Sequence, residues 1–482
     1  MNLNVRAVLF RLARTATLLE PAPAPASLPL PALAPAPRPA PAARAREPRR
    51  LYLSVRAKFS LAMLCSVAWM VFSIHAAEPW VAQLSGVAGE TLAWVVVGGI
   101  AILPGFMNAF LVVGLLLDRR PTILPMPRRM PGVTLLVAAY NEQESIALTI
   151  GSIAAQHYPG PLQVIVINDG STDRTAEVLA GISHPWLEVV NLARNGGKAK
   201  ALNVGLARVR YSLTITIDAD SCLYRDALRH LVGRYLSDPL DTRAVAGAIL
   251  VRNSRTNLVT RAQEWDYFHG IAAVKRLQSL YQGTLVAQGA FSLYETAVLR
   301  SIGGWSDTVG EDIVLTWALL ERGHRVGFAE NACAFTNVPE TWKQFIRQRQ
   351  RWSRGLIEAF KAHWRLLFKA RMRTMFIWWN LMFPYTDLAF TLAFLPGLVL
   401  ALFGIYWIAG PMTLLVLPLG MLVNYQMYRV QSAMFAGEGL KIRRNFSGFF
   451  FYSLCYSIVL QPACVVGYLQ EMLNHAKRWG TK

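Results

Sequence analysis

Charge-free apolar blocks alternate with long mixed stretches along this chain, and the two kinds of pattern predict two kinds of element. Phe59 to Ala77 and Thr91 to Leu117 contain no Asp, Glu, Lys or Arg, and each is long enough to cross a hydrocarbon core of about 30 Å as a helix. Thr374 to Tyr428 carries one formal charge, Asp387, and Phe446 to Gln470 carries none. At least three further spans are expected there. Between the two apolar regions the period changes. VTLLVAAY, VIVIND, LEVVNL and SLTITIDAD are short β-branched runs separated by polar, helix-compatible stretches. That punctuation predicts a mainly parallel sheet with helices on both faces. Thr341 to Phe368 reads as one long helix in which Trp342, Phe345, Trp352, Leu356 and Phe360 are interspersed with Arg and Lys, a composition suited to a membrane interface.

Composition agrees with this division. The 482 residues are 54% hydrophobic and only 16% charged, more apolar than a typical soluble protein. The net charge of +20 could suggest a nucleic-acid partner, but ten Lys or Arg residues precede Phe59 and none lies in the Ala77 to Glu90 loop. This is the positive-inside distribution. It places the N-terminus and Asp118 to Arg373 in the cytosol, and no nucleic acid is expected. Arg128, Arg129, Arg371 and Arg373 would lie against anionic headgroups of the bilayer. The five cysteines show no paired spacing, so neither a disulfide framework nor a zinc site is indicated. Residues 1–58 form a basic tail whose Pro/Ala-rich part, Pro21 to Arg50, has too few large apolar residues to pack a core. Met1 to Leu19 is interrupted by Arg6, Arg11 and Arg14, which does not suit a cleaved signal peptide.

The candidate chemistry lies in the middle segment. Ligands of parallel α/β sheets bind beyond the carboxyl ends of the strands. Asp169 falls where VIVIND runs out, and Asp218 and Asp220 fall where SLTITID runs out, so three carboxylates are expected on one rim. Each has a plain structural alternative: a turn with a helix cap for Asn168 to Asp173, an acidic loop for the Asp-x-Asp. Two neighbouring carboxylates repel unless a cation neutralises them, and Mg²⁺ or Mn²⁺ bridging Asp220 to a diphosphate is the economical explanation. In Gly196 to Asn203, two lysines open a helix, where amides and ammonium both favour anions. Lys200 is the one expected near a nucleotide, with a solvated basic turn as the alternative, above all for Lys198. Gly310-Glu311-Asp312 precedes a helical pattern. Asp312 is either a helix-dipole residue or the base that takes the proton of a hydroxyl attacking an anomeric carbon. Gln348, Arg351 and Trp352 stand at i, i+3 and i+4 and share one helical face. Such a face could hold a sugar ring by stacking and phosphate oxygens through Arg, or be an ordinary interfacial belt.

Taken together, AAYNE (Ala138 to Glu142), NDGSTD, KALN (Lys200 to Asn203), DAD, GED and QRQRW resemble the motifs of processive family 2 glycosyltransferases. These are the poly-N-acetylglucosamine, hyaluronan, chitin and cellulose synthases. The resemblance covers roughly Val133 to Trp352 and extends to the flanking spans. It implies an α/β, GT-A (Rossmann-like) cytosolic domain over 118–340, inserted between transmembrane helices at 59–117 and 374–470, with an interfacial helix at 341–373. It also implies inverting transfer from a UDP-sugar to a growing glycan that leaves through the chain's own spans at the inner membrane. Tyr140, Glu142 and Asp169 would hold uridine, Asp218 the diphosphate region, Asp220 the metal, Asp312 the proton, and Gln348, Arg351 and Trp352 the acceptor and diphosphate. Arg478 to Lys482, within a tail at 471–482, is similar to the gating segment that hyaluronan synthases carry after their last span. If it gates the site, an even number of spans must follow the domain. Three short spans in Thr374 to Tyr428, or a re-entrant hairpin around Gln461-Pro462, would supply that parity. Asp387 is expected to cap a helix at the interface, with a channel-lining role as the alternative.

The layout is most similar to poly-N-acetylglucosamine synthases, which work with a small membrane accessory subunit. Hyaluronan, chitin and cellulose-type synthesis, and single sugar transfer to a lipid acceptor, are the enzymatic alternatives. A membrane-anchored binding or transport protein, in which the acidic motifs are only turns and caps, is the non-enzymatic one.

Overall fold

The computed structural model describes residues 53–118, 127, 129–440 and 443–476. Helix α1 (Val55–Ala88) starts where the Ser54 hydroxyl accepts the Ala57 N–H at 3.2 Å, an N-cap that satisfies one orphan donor. Helix α2 (Glu90–Leu116) follows after Gly89. A π turn at Gly98–Ile102 brings Gly99 so close to a later helix that a Cβ there would lie 2.5 Å from the Ala389 Cβ. Small residues of this kind allow apolar helices to cross tightly.

The domain that follows alternates as the pattern predicts: β1 (Val133–Ala139), α3 (Ile146–Ala154), β2 (Leu162–Asn168), α4 (Thr175–Ala180), β3 (Leu187–Asn191), α5 (Lys198–Ala207), β4 (Leu213–Asp218). Next come β5 (Cys222–Leu223), α6 (Ala227–Ser237), β6 (Thr242–Val251), α7 (Leu258–Tyr267), α8 (Lys275–Leu280), β7 (Phe291–Glu295), α9 (Thr296–Ser301), α10 (Glu311–Glu321), β8 (Arg325–Thr336) and α11 (Trp342–His363). The strands form one sheet in the order β3-β2-β1-β4-β7-β6-β8-β5. Its first four strands are parallel; β7 runs antiparallel to both β4 and β6, while β6 and β8 are parallel to each other. The expectation of a mainly parallel sheet thus holds for the first half, and the second half is mixed.

Both sheet faces are buried, which explains why the strands read as continuous apolar runs. Leu136, Ile165 and Ile167 pack on one face with Leu202 of α5, and Leu135, Val137, Val164 and Val166 pack on the other with Ile146, Ile150 and Ile153 of α3. On the first face α10 lies against α11. There Trp317, fully buried, meets Phe360 edge-on with ring centroids 4.8 Å apart. Gly310 and Gly355 touch backbone to backbone, so that a Cβ on Gly310 would lie 2.6 Å from the Gly355 Cα. The Gly310 N–H donates to Glu358 of α11 at 2.9 Å.

After the domain come α12 (Thr374–Leu402), α13 (Pro411–Gly437), α14 (Phe446–Leu454) and α15 (Tyr456–Met472). Among the described residues α1, α2 and α12 are long and apolar enough to cross a membrane, and α14 with α15 pass only if counted as one span bent by 52°. Of the three further spans expected after the domain, one helix, α12, is therefore long and apolar enough among the described residues, or two with the bent pair counted as one span. Beyond α12, the Trp407 carbonyl accepts the Trp80 indole N–H at 2.8 Å, and Ile408 packs with Val81 and Leu84 near the α1–α2 turn. Helix α13 returns to the domain, where the Tyr224 hydroxyl donates to the Glu438 carbonyl. Before α14, the Asn445 amide donates to the Arg261 carbonyl at 2.9 Å and the Glu264 carboxylate at 2.6 Å. At the end of α15, Arg354 of α11 donates to the carbonyls of His475 and Ala476. The bent pair therefore lies along the domain with both ends tied to it.

Both devices expected from the sequence differ in detail from the structure. Thr374 to Tyr428 holds two helices, not three. The break sits at Cys455, because α15 runs on through Gln461 and Pro462. Asp387 is corrected too: it lies in the middle of α12, buried, and accepts the Tyr468 hydroxyl at 2.9 Å. The gating-like Arg478 to Lys482 and residues 1–52 of the N-terminal tail lie outside the described residues, and residues 55–58, expected in the tail, belong to α1.

Emptying the α10–α11 joint should be costly. Trp317→Ala is expected to lower unfolding stability by about 3–5 kcal/mol, read as a lower denaturation midpoint of the detergent-purified protein; an unchanged midpoint contradicts the packing described.

Candidate active site

Because β1, β2 and β4 are parallel, their carboxyl ends share one edge, and the strand order reverses between β1 and β4. This is the place where a crevice opens in such sheets. Ala138 stands opposite Asp218, and Ala139 opposite Asn168. Two turns are laced together on this rim. Asn141, held at φ +56°, donates its N–H to the Ser171 hydroxyl at 3.0 Å and accepts the Thr172 N–H at 2.8 Å. The Glu142 N–H donates to the Thr175 hydroxyl. Tyr140 is exposed on this edge, and Glu142 accepts the Ser145 hydroxyl at 2.7 Å.

Asp169 is buried, and its two carboxylate oxygens accept the N–H groups of Gly196 and Gly197 at 2.9 and 2.8 Å. It thereby fixes the loop that launches α5. Gly197, at φ +91°, is the residue before the first helical position, Lys198. The structure separates the two lysines. Lys200 points to solvent and pairs with the equally exposed Asp307 at 3.2 Å. Lys198 instead reaches into the crevice, 2.5 Å from Asp218 and 3.4 Å from Glu311. Residues two apart on a helix diverge by about 200°, so only one of the pair can face the rim. Burial opposes the charge on Lys198, but Asp218 and Glu311 outweigh it and hold the ammonium above its ordinary range.

Around this cation the carboxylates crowd. Burial, with Asp218 and Glu142 adding to it, pushes the Asp220 carboxyl up to about 6. Its Oδ1 accepts the Thr336 hydroxyl at 3.3 Å. Burial also pushes Glu311 up to about 7; Lys198 and Arg351 work against that rise, and Asp312 and Asp218 add to it. Asp312, in the first turn of α10, accepts the Gly289 N–H at 3.2 Å, and a Cβ on Gly289 would lie 2.7 Å from the Lys198 Nζ. Lys275 of α8 donates to the Val286 carbonyl just behind this loop.

Helix α11 closes the crevice. Gln348 is buried with its Oε1 lacking a partner among the described residues, and the same holds for the Arg351 Nε. Trp352 is 43% exposed. The structure thus brings Asp218, Asp220, Glu311 and Asp312 around Lys198, with Arg351 acting on Glu311, keeps Asp169 beneath as a loop anchor, and leaves Lys200 exposed. Sequence reasoning missed Lys198 and Glu311, whose only signals were the Gly-Gly before the helix and the acidic neighbour of Asp312. Among the described residues no group of three or more His, Cys, Asp or Glu could hold a metal ion. The set fits a hard cation that keeps phosphate oxygens and waters: Asp218 and Asp220 offer oxygen donors, and their mutual repulsion is only partly offset by Lys198.

Residues 131–355 match the sequence model of the family described as glycosyltransferase like family 2. The chain carries a family 2 glycosyltransferase domain. Over 265 residues it is 32% identical to poly-beta-1,6-N-acetyl-D-glucosamine synthase of Staphylococcus aureus, matching 52% of this chain and 63% of that protein. The synthase of the same name in Staphylococcus epidermidis is 30% identical over 264 residues, with the same shares covered. The chain therefore spans just under two thirds of the length of these relatives. In structure, the domain and its helices are similar to the mannosyltransferase PcManGT of Pyrobaculum calidifontis, solved in complex with GDP-Man and Mn²⁺. The TM-score is 0.55 at 19% identity, covering 79% of this chain and 99% of that one. This likeness establishes a GT-A-type α/β fold for the glycosyltransferase domain.

The raised carboxyl gives a pH signature. Glu311 holds its proton more tightly when folded, so the stability it contributes is present at low pH and is lost as pH rises from 4.5 through about 7. The melting temperature is expected to fall between pH 5 and pH 8, and Glu311→Gln to flatten that fall. An equally steep decline in the variant would contradict the assignment.

Proposed function

We propose that this protein is a membrane-embedded, inverting, processive glycosyltransferase that polymerises N-acetylglucosamine from UDP-N-acetylglucosamine and passes the polymer across the inner membrane, with its catalytic domain in the cytosol. The observation that carries this reading is the convergence of Lys198, Asp218, Glu311, Asp312 and Arg351 at one strand rim, closed by a helix presenting Trp352. The choice of sugar rests on the synthases to which the chain is similar.

In this reading Tyr140, Glu142 and Asp169 form the uridine side of the crevice, with Asp169 acting through the Gly196-Gly197 loop. Lys198 takes the place assigned to Lys200 and meets the diphosphate. Asp218 and Asp220 would hold Mg²⁺ or Mn²⁺, which when bound neutralises the charge of the leaving diphosphate. Asp312, oriented by the Gly289 amide, accepts the proton of the acceptor hydroxyl as its oxygen attacks the anomeric carbon. The bond from that carbon to UDP breaks, UDP leaves with the electron pair, and the configuration inverts. Gln348 and Arg351 contact phosphate or acceptor oxygens, and the Trp352 ring offers its face to the last sugar. Passage of a hydroxyl-rich chain is supported by buried polar atoms without described partners on α12 to α15: Thr391 Oγ1, Gln431 Oε1, Ser432 Oγ, Ser453 Oγ and Gln461 Oε1. Buried groups of this kind ordinarily have partners.

The test offers UDP-N-acetylglucosamine, UDP-glucose and UDP-glucuronate, singly and combined, to protein in lipid with Mg²⁺ or Mn²⁺. Polymer from UDP-N-acetylglucosamine alone is expected, with Asp312→Asn slowing turnover by about 10²- to 10⁴-fold and leaving UDP binding intact. A requirement for UDP-glucuronate moves the reading to hyaluronan-type synthesis. Single additions to a lipid reject processivity.

A further inference from the structure

Trp352 is held from behind by groups that take no part in the crevice. One turn earlier on α11, Arg349 is almost fully buried and its guanidinium lies 4.2 Å over the Trp352 ring, with the Phe345 ring at 4.9 Å. One nitrogen of Arg349 donates to Asp266 of α7 at 2.8 Å and to the Tyr456 hydroxyl of α15 at 3.0 Å. The Tyr456 hydroxyl donates in turn to the same Asp266 oxygen at 3.0 Å, closing a triangle. Tyr267, next to Asp266, puts its ring 6.3 Å from that of Trp352. Three elements, α7, α11 and α15, therefore meet behind one exposed ring.

A buried ion pair is seldom retained for stability, since well-packed apolar residues of similar size do as well. What this triangle adds is position. A cation over an indole face fixes the ring plane, and the planar guanidinium can hold Asp266 and Tyr456 while it does so. Tyr456 is the first residue of α15, directly after the break at Cys455 where the two helices bend by 52°. The ring that would carry the acceptor is thus mechanically tied to the bend of the helix pair that lies along the domain.

Resting on the glycosyltransferase reading above, we propose that Asp266, Arg349 and Tyr456 form a bracket that positions Trp352 as the acceptor platform and so sets how long a growing chain stays bound, and hence product length. Arg349 is a positioning residue, acting through Trp352. Its signature is a split between acceptor and donor parameters.

The experiment uses the full chain in lipid vesicles with UDP-N-acetylglucosamine and an added N-acetylglucosamine oligosaccharide as acceptor, comparing wild type with Arg349→Met, Arg349→Lys and Tyr456→Phe. Arg349→Met is expected to raise the acceptor KM by several-fold to about tenfold and to shorten the product. The donor KM and acceptor-independent UDP release should stay within about twofold. Tyr456→Phe, which removes one hydroxyl, should shift the same two readouts less, and Arg349→Lys should lie between wild type and Arg349→Met. Should Arg349→Met fail to fold, Tyr456→Phe carries the test alone. Unchanged product length in the folded variants, or a donor KM that rises with the acceptor KM, overturns the bracket. A wild type that adds only single sugars overturns the parent reading and the length claim with it, an outcome distinct from long polymer in both wild type and variants.

Discussion

One ammonium among four carboxylates organises this rim. Lys198 stands between Asp218 and Glu311, with Asp312 and Asp220 close enough to raise or be raised by their neighbours. In an interior where charges interact strongly, such an excess of negative charge is tolerable only near cations. It leaves a rim short of positive charge, which Lys198 and, at Glu311, the guanidinium of Arg351 offset only in part. Everything that positions Lys198 serves this balance. Asp169 holds Gly196 and Gly197, Gly197 takes the backbone conformation that starts α5, and Gly289 leaves room for the lysine head. The rim is assembled from the ends of three strands and two helix N-termini, so no short stretch of sequence contains it.

The second constraint is the approach of α11. The Gly310–Gly355 contact lets two backbones touch, and Glu358 binds the Gly310 amide. Together they set the distance between the carboxylates of α10 and the Arg351–Trp352 face. The same helix is bound along its other side by α15, through Arg354, Lys361 and Glu471, and by close packing of Gly467 on Gln350 and Ser353. The strand rim and the apolar helices are thereby joined through one element.

Much of this was legible before any coordinates. The β-branched runs became β1 to β4 because strands buried on both faces must be apolar throughout, and the strand-end aspartates followed from that. What the pattern could not convey was direction around a helix and the return path of the chain. Lys198 and Lys200 are alike in composition, and only the start of α5 at Lys198 sends one inward. Phe446 to Gln470 is apolar enough to pass for a span. Its break at Cys455 and the ties that Arg261 and Arg354 make at its two ends leave no mark in the local pattern. Asp387 read as a helix cap because its acceptor role for Tyr468, eighty-one residues later, leaves no local trace.

The most direct measurement is the equilibrium affinity for UDP, with Mg²⁺ or Mn²⁺ present, of wild type, Lys198→Met and Lys200→Met. Losing a hydrogen bond to a charged group is worth about tenfold to a hundredfold in affinity. The account predicts that loss for Lys198→Met and a change within about twofold for Lys200→Met. Tight binding by Lys198→Met, with the loss falling on Lys200→Met instead, would contradict it.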